Sequence, residues 1–437
     1  MIKTRSQLQN WSGLTALRLL VTGPWSNVVA AVAVAYAALV SLMPILMTPY
    51  LGDDTFDRTP SQFATDPAAT HLTVFFKVTQ SWMTQQGRFM PGAVALRDLA
   101  FTIFNSLIAY KLYLFILSLT LIVVVGLLAV RLTGRVAAFA PAVVLLCMTW
   151  SLRVWADALD TFHGVVPMTV LLSSVSLLLV LSTSRTWLLG LAALSWSLAL
   201  MTYEVAILLT PVMCLVVWLM RDERGLTTRS RLVWRQAVFV VPALVDGLFV
   251  LWLRSRMVGE PVPAYRVNLD GAAVASTYTK QFLAALPLSQ YWYRGVPTFD
   301  IPLRLILLSV ILVGVPAAIA LVASRSTLRP PKWRGLAGMT SLGLGSWLAS
   351  AVLVSVTLRW QQELPSGQGY LSVVWGYVGV GLCGAALWLA LDKLSGRPGS
   401  WKWRIAFYLW TALIAGTVSM TFAANLSIAS TLAHGNI

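Results

Sequence analysis

The chain has 437 residues, 58% of them hydrophobic and 11% charged, with a formal net charge of +16. Its mean hydropathy is +0.76. Apolar runs close to the roughly 20 residues that span a bilayer recur along the whole chain, which excludes a soluble domain built around one large core. The sequence therefore predicts an all-α polytopic membrane protein.

Eleven apolar segments are predicted to cross the membrane. They cover residues 28–48, 104–130, 136–151, 164–182, 187–201, 205–220, 236–253, 302–323, 337–357, 370–391 and 404–423. The stretch before the first segment contains Pro24 and lacks a small-residue cleavage pattern after a short apolar core, so we expect an uncleaved anchor there.

The charges predict the orientation of these segments. With a cytoplasmic N-terminus, nineteen Lys and Arg residues and only three acids fall on the inner side, as the positive-inside rule requires. The positive charge is therefore explained by an anionic leaflet, with membrane lipids as the partner, and nucleic-acid binding is not predicted. The C-terminus is expected outside.

The first outer loop, 49–103, opens with the stretch "YLGDDTFDRTP", which places Asp53 and Asp54 directly after the first segment. These two residues could have a functional role, lie in a solvated loop, or cap the N-terminus of a following helix. Asp57 is interpreted as a loop residue. Further along, apolar residues from His71 to Met83 recur near helical spacing and predict a helix in the membrane interface.

The fifth and sixth segments are joined by "MTYEVA", which leaves too few residues for two full spans and an aqueous loop. We therefore expect a hairpin whose tip, with Tyr203 and Glu204, stays at membrane depth and lines a cavity. An ion pair between Glu204 and Arg153 is the alternative to a contact with substrate.

The second long outer loop, 254–301, is predicted to hold another interfacial helix over Ala272–Leu286, with Asp270 as its N-cap. No soluble domain, repeat or low-complexity tract interrupts the chain, so residues 1–437 are predicted to form a single transmembrane domain.

Ionisable residues near membrane depth are costly, so their convergence on one side indicates a functional site. This topology brings polar residues from at least six segments to the outer side. They are Asp53, Asp54, Asp57, Arg88, Arg153, Asp157, Asp160, Tyr203, Glu204, Lys280, Gln281 and the stretch "LRWQQELPSGQGY" at 358–370.

The residue types in this set favour one chemistry. A carboxylate accepts the proton of a hydroxyl nucleophile, and a guanidinium binds phosphate through paired hydrogen bonds. Aromatic faces suit a sugar ring, and the candidates are Trp360, Tyr370, Tyr291, Trp292 and Tyr293. A lipid-linked sugar would keep its polyprenyl tail in the bilayer and present its head group to such a site.

No cofactor or metal site is predicted. The three cysteines, Cys147, Cys214 and Cys383, lie inside apolar runs without metal-ligand spacing. His163 is interpreted as a residue that satisfies a helix end. Asp157 and Asp160 lie on a different loop from the first acidic pair, which is too loose a pattern for a metal site.

Several of these features together resemble a known class. They are the acidic pair after the first span, the long first outer loop with its interfacial helix, the Gly-Arg-Phe element before the second span, Tyr203-Glu204 in a short hairpin, and "RWQQELPSGQGYLSV" before the tenth span. The chain resembles the GT-C class of polyprenyl-phosphate-sugar glycosyltransferases, nearest to the bacterial branch that modifies O-antigen or cell-envelope glycans.

The resemblance implies transfer of a sugar, without nucleotide sugars, at the outer face of the bacterial plasma membrane. The donor would be a polyprenyl-phosphate-linked sugar, and the acceptor a lipid-linked or cell-envelope glycan. Asp53 or Asp54 would be the general base. The implied substrate-binding residues are Arg88, Arg359 and Lys280 for the donor phosphate, Glu204, Gln361, Gln362 and Glu363 for sugar hydroxyls, and Tyr203 and Tyr370 in the same site.

Two other functions compete with this interpretation. A flippase or transporter of lipid-linked saccharides would place polar residues along both halves of a path, whereas here they gather on the outer side. A polysaccharide polymerase shares the membrane setting and the long outer loops but matches the acidic pair less well. The chain also ends near its last segment, so we expect it to lack the extracytoplasmic C-terminal domain of larger GT-C enzymes.

Overall fold

A computed structural model describes the chain over residues 25–57, 70–153, 157–183, 185–222, 229–256, 266–292, 300–325, 331–396 and 401–434. These parts are almost entirely helical, and their one β-bridge pairs Val267 with Thr357. The all-α prediction is confirmed for them.

The helices follow one another from α1, directly before the acidic stretch, to α17. In chain order they are α1 (Ser26–Leu42), α2 (Asp53–Asp57), α3 (His71–Gln86), α4 (Pro91–Ile103), α5 (Leu107–Thr133), α6 (Phe139–Thr149), α7 (Val165–Ser182), α8 (Thr186–Thr202), α9 (Thr210–Leu219), α10 (Arg229–Arg256), α11 (Gly271–Ala284), α12 (Leu303–Ser309), α13 (Val315–Arg325), α14 (Trp333–Ser355), α15 (Leu358–Glu363), α16 (Val373–Ser395) and α17 (Trp401–Ala433). A π-helical turn, Val310–Gly314, joins α12 to α13.

An apolar helix lies at each of the eleven predicted segments. Within the described ranges, eight helical stretches are long and apolar enough to cross a membrane. Three are shorter, at Val136–Thr149, Thr186–Thr202 and Glu204–Leu219. The last two form the predicted hairpin, with Tyr203 in extended conformation at its tip and a 3-10 turn from Glu204 to Leu209.

A helix is present at each of the two outer-loop stretches where one was predicted, and local sequence explains the ends of both. Helix α3 begins with a capping box between Thr70 and Thr73 and ends at Gly87, whose φ of 60° suits glycine. At α11 the Asp270 carboxylate accepts hydrogen bonds from the backbone N–H groups of Ala272 and Ala273, as predicted. Helix α4 starts at Pro91, within the stretch predicted as the first outer loop.

Small residues bring the long helices into close contact. A Cβ atom added at Gly379 on α16 would lie 2.6 Å from the carbonyl oxygen of Gly343 on α14. Such close backbone approach is typical of helix pairs packed in membranes. It fixes the relative position of the two helices that flank α15 in the chain, and thereby the segment that carries Tyr370.

Many cations predicted to face the cytoplasm lie at the end of the helices away from α2. Arg131 donates to the carbonyl oxygen of Leu181 at 2.9 Å, and Arg235 donates to the carbonyls of Val180 and Thr183. These carbonyls belong to the C-terminal turn of α7 and the residue after it, where the helix leaves acceptors without partners. The cations therefore also stabilise helix ends.

Candidate active site

The short helix α2 sends its two adjacent carboxylates into different surroundings. Asp54 is fully buried, accepting a hydrogen bond from the Tyr110 hydroxyl at 2.5 Å and another from the His163 backbone N–H at 3.2 Å. Asp53 is exposed to solvent and lines a cavity. Of the adjacent pair, it is Asp53 that a substrate can reach.

The environment raises the pKa of both carboxyls, and the main cause in each is that surrounding protein displaces water from the charged form, partly at Asp53 and almost completely at Asp54. At Asp53, the neighbouring Asp57 raises the pKa further, whereas the positive charges of His163 and Arg359 oppose the shift. At Asp54, His163 and the hydrogen bond from Tyr110 oppose it. An ionised carboxyl with a raised pKa binds a proton more strongly than an ordinary one, so Asp53 suits the role of a general base.

The cavity beside Asp53 has a volume of about 170 Å³ and is assembled from six parts of the chain. These are α2, α3, the segment from Arg88 through α4, the turn at 162–165 and the residues Tyr203, Tyr370 and Leu371. Four residues that the sequence predicted for the site meet in its lining: Asp53, Arg88, Tyr203 and Tyr370.

Arg88 follows the left-handed turn at Gly87 and is held by the hairpin tip. Its Nε donates to Glu204 Oε1 at 3.0 Å, and its guanidinium lies 5.6 Å from the centre of the Trp82 ring. The partner of Glu204 is therefore Arg88, and the alternative pairing with Arg153 is wrong. Glu204 therefore orients Arg88, a cation of the cavity, although the two residues are far apart in the sequence.

Arg153 is instead completely enclosed next to the site. Its Nε donates to the Tyr377 hydroxyl at 2.6 Å, and its other nitrogens donate to the carbonyls of Gly367 and Ala284. A buried guanidinium with several acceptors ties α11, α16 and the 364–372 loop together. This role is structural, since the charge is surrounded by protein.

The remaining predicted substrate residues lie around α15 and do not line the cavity. Lys280 donates to the Leu364 carbonyl at 3.1 Å, and Gln361 donates to the carbonyls of Ser355 and Asn268. Arg359 and Glu363 form an exposed ion pair at 2.8 Å. Gln362 is exposed. The charge of Arg359 nevertheless acts on Asp53, where it opposes the rise of the pKa. Tyr293 lies outside the described residues.

The cavity wall also carries three titratable or charged residues that were not predicted to bind substrate or to act as the base: Asp57, Arg97 and His163. Asp57 lies on the cavity wall with one carboxylate oxygen 3.1 Å from His163 Nε2 and the other 3.5 Å from an Arg97 nitrogen. The interpretation of Asp57 as a loop residue is wrong, because it closes α2. Its i, i+4 spacing from Asp53 is the signal that places both on one face of a helical turn.

A buried ion pair lies behind the site. Lys111 Nζ lies 2.7 Å from Asp160 Oδ1, and both side chains are almost inaccessible. Asp157 accepts backbone hydrogen bonds from Leu159 and Asp160, which shapes the loop before α7. Across the described ranges, no group of three or more His, Cys, Asp or Glu side chains is arranged to hold a metal ion.

No protein-family model matches the chain, and no curated protein matches its sequence. Among solved structures the chain is similar to ArnT from Cupriavidus metallidurans, whose crystal structure contains undecaprenyl phosphate. The match covers 93% of this chain and 77% of that one, with 16% identity and a TM-score of 0.37. A likeness of this extent assigns no role to a residue, so the function is inferred below from the chain's own residues.

Proposed function

We propose that this protein is a membrane glycosyltransferase that moves a sugar from a polyprenyl-phosphate donor to a lipid-linked or cell-envelope glycan at the outer face of the bacterial plasma membrane. The observation that carries the proposal is the accessible carboxylate of Asp53 in a cavity that also holds Arg88 and Arg97. A proton acceptor beside two guanidinium groups suits a hydroxyl nucleophile and a phosphate leaving group.

In the proposed reaction, the acceptor hydroxyl oxygen forms a bond to the anomeric carbon of the donor sugar. The bond from that carbon to the phosphate oxygen breaks, and the phosphate keeps the electron pair. Asp53 takes the hydroxyl proton. Asp54 stays out of the chemistry, because its carboxylate is enclosed between Tyr110 and His163.

The two arginines in the cavity supply positive charge where the phosphate gains negative charge. Glu204 orients Arg88, and Asp57 holds Arg97. Fixed cations stabilise developing charge more than mobile ones do, because they do not have to reorganise during the reaction. Glu204 and Asp57 therefore act by positioning the two cations.

Apolar and aromatic groups give the donor a route and a surface. Helix α3 leaves Leu72 and Phe76 exposed at 64% and 60%, as expected for a helix in the bilayer interface beside a lipid substrate. On the cavity wall, Tyr370 stacks on Trp360 with ring centres 3.8 Å apart. A rigid aromatic pair of this kind suits the face of a sugar ring.

The arrangement favours an enzyme over a transporter. A second cavity of about 530 Å³ lies at the other end of α1, but Asn27, Arg135 and Ser324 are its main polar side chains. On α5, between the two ends, Leu121, Ile122 and Val125 are fully buried. A polar path that would carry a saccharide head group is absent from this described stretch.

The test compares Asp53→Asn with Asp54→Asn in cells that lack the gene, followed by analysis of envelope glycolipids and glycans. We expect the native gene to restore one sugar, and Asp53→Asn to fail although it is present in the membrane at normal amount. Asp54→Asn is expected to alter the amount of folded protein more than the activity per molecule. Full activity of Asp53→Asn would refute the base assignment.

Identification of the donor uses the same strains. Membranes containing the native protein are expected to transfer label from a polyprenyl-phosphate sugar and to be inhibited by added undecaprenyl phosphate, the product lipid. Vesicles that move a lipid-linked saccharide across the bilayer without forming a glycosidic bond would indicate a flippase instead.

A further inference from the structure

Three consecutive residues at the entrance to α7 adopt left-handed backbone conformations. The φ angles are 55° at Phe162, 54° at His163 and 71° at Gly164. Glycine adopts this conformation freely, but each of the other two residues costs on the order of 1 kcal/mol or more. Strain of this kind persists only where the surroundings impose it, and it clusters at functional sites.

The surroundings of His163 show what imposes the turn. Its backbone N–H donates to Asp54 at 3.2 Å, and its carbonyl accepts from the Tyr113 hydroxyl at 3.1 Å. The Phe101 ring meets the imidazole edge-on, with ring centres 5.2 Å apart. A Cβ added at Gly164 would lie 2.7 Å from a Leu117 methyl carbon, so the turn is also packed tightly against α5.

The turn places the imidazole among the carboxylates of α2. His163 Nε2 lies 3.1 Å from Asp57 and 3.4 Å from Asp54, although neither contact has hydrogen-bond geometry. The ring is buried and lines the same cavity as Asp53. The titratable and charged groups around it are Asp53, Asp54 and Asp57 on α2 and Tyr110, Lys111 and Tyr113 on α5. Two arginines act on these carboxylates: Arg97 of α4 pairs with Asp57, and the charge of Arg359 acts on Asp53.

We propose that His163 is a positioning residue of the transfer reaction. Its ring lies against the carboxylates of Asp54 and Asp57 and so holds the acidic helix α2 at the cavity that Asp53 lines. The proposal rests on Asp53 as the general base. A histidine that satisfies a helix end, the simpler interpretation, would need neither the strained turn nor the two carboxylates at its Nε2.

The physical basis is electrostatic. When it is protonated, the imidazole places a positive charge among the carboxylates of α2, 3.1 Å from Asp57 and 3.4 Å from Asp54. A positive charge near a carboxyl favours the ionised form. His163 is the larger of two such cationic influences on Asp53, the other being Arg359. Removing it should keep Asp53 protonated up to a higher pH.

The experiment measures Asp53 directly, without any enzyme assay. The full-length protein in detergent is treated with a water-soluble carbodiimide and an amine across pH 4–7.5, and coupling at Asp53 is located by mass spectrometry. Protonated carboxyls react, and the exposed Asp53 is distinguishable from the enclosed Asp54. The variants are His163→Asn, because asparagine tolerates a left-handed backbone, and His163→Gln, which is closer in length.

His71→Gln is the matched control. His71 also lies 2.9 Å from a carboxylate, that of Asp98, but its side chain is 56% exposed and outside the cavity. We expect the midpoint of Asp53 coupling to rise by about one pH unit in both His163 variants and to stay unchanged in His71→Gln. An unchanged midpoint in a folded His163 variant would overturn the proposal.

The transfer reaction provides the second readout. The acid limb of the rate-against-pH profile should move upward by the same amount in His163→Asn as the coupling midpoint does. A uniform loss of rate at every pH would show a merely structural role. If Asp53→Asn retains full transfer, the base assignment fails, whereas the coupling result still decides whether His163 controls Asp53.

Discussion

Replacement of Lys111 by methionine should destabilise the protein strongly, because it leaves a carboxylate alone in an enclosed place. The side chains of Lys111 and Asp160 are 1% and 0% exposed and their charged atoms lie 2.7 Å apart. Methionine keeps most of the volume and removes the charge. The ammonium group bonds one carboxylate oxygen of Asp160, and the other oxygen has no hydrogen-bond partner, so the carboxylate depends on Lys111 for its charge compensation.

The magnitude follows from burial. Removing one partner of a buried pair typically costs about 3–5 kcal/mol, whereas an exposed i, i+4 pair contributes about 0.3–0.5 kcal/mol. Arg359 and Glu363 provide that comparison. Their charged atoms lie 2.8 Å apart, nearly the same distance as in the Lys111–Asp160 pair, but their side chains are 41% and 47% exposed. Arg359→Met should therefore barely change stability.

The stability lost in Lys111→Met should also depend on pH, and the direction of that dependence follows from the pKa of Asp160. Burial raises the pKa of Asp160 to about 7, even with Lys111 opposing the shift. A carboxyl whose pKa is higher in the folded than in the unfolded chain weakens folding as the pH rises from about 4 toward the folded value. Without Lys111 the folded pKa rises further, so the penalty should be larger at pH 8 than at pH 5.5.

The assay is thermal unfolding in detergent at both pH values, for the native protein, Lys111→Met, Arg359→Met and the double variant Lys111→Met with Asp160→Asn. The double variant should be more stable than Lys111→Met, because the uncompensated charge is gone. A Lys111→Met protein as stable as Arg359→Met, or one that is weakest at low pH, would refute this account of the pair.

The other predictions concern the site. Arg88→Ala should weaken competition by undecaprenyl phosphate more than Arg88→Lys, since lysine keeps the charge but loses the planar fork; equal losses would indicate a purely geometric role. Glu204→Gln should lower transfer, with little change in the unfolding temperature, because a neutral amide still accepts from Arg88 but holds it less firmly than the carboxylate does at 3.0 Å. Gly164→Ala should destabilise the protein by about 1–3 kcal/mol in thermal unfolding. Gly190→Ala is the control: no atom lies within 4 Å of the added Cβ, so this change should be neutral or stabilising by up to about 1 kcal/mol.

The helices themselves were readable from the sequence. Their position depends on runs of apolar residues and on caps such as Asp270, and both are properties of neighbouring residues. Helix α4 was not predicted, because its 13 residues lie within the expected first outer loop and are too few and too polar to form a span. The left-handed turn at Phe162 and His163 has only a weak local signal, because histidine occurs in this conformation more often than most residues but phenylalanine does not.

The candidate site could likewise be predicted only in part from the sequence. Types and spacing indicated that Asp53 or Asp54, Arg88, Tyr203, Glu204 and Tyr370 belong to an outer polar site. Which carboxylate is accessible depends on Tyr110 and His163, which are more than fifty residues away along the chain. No local pattern records such a contact.

The sequence alone determined that the chain is a bundle of apolar helices with acidic, basic and aromatic residues gathered at one set of helix ends, because hydropathy and charge act residue by residue on partition into a bilayer. The tertiary structure decided the rest. Packing between α2, α5 and the turn before α7 buries Asp54, leaves Asp53 open and sets His163 beside Asp57, because burial and distance are created only when remote segments meet.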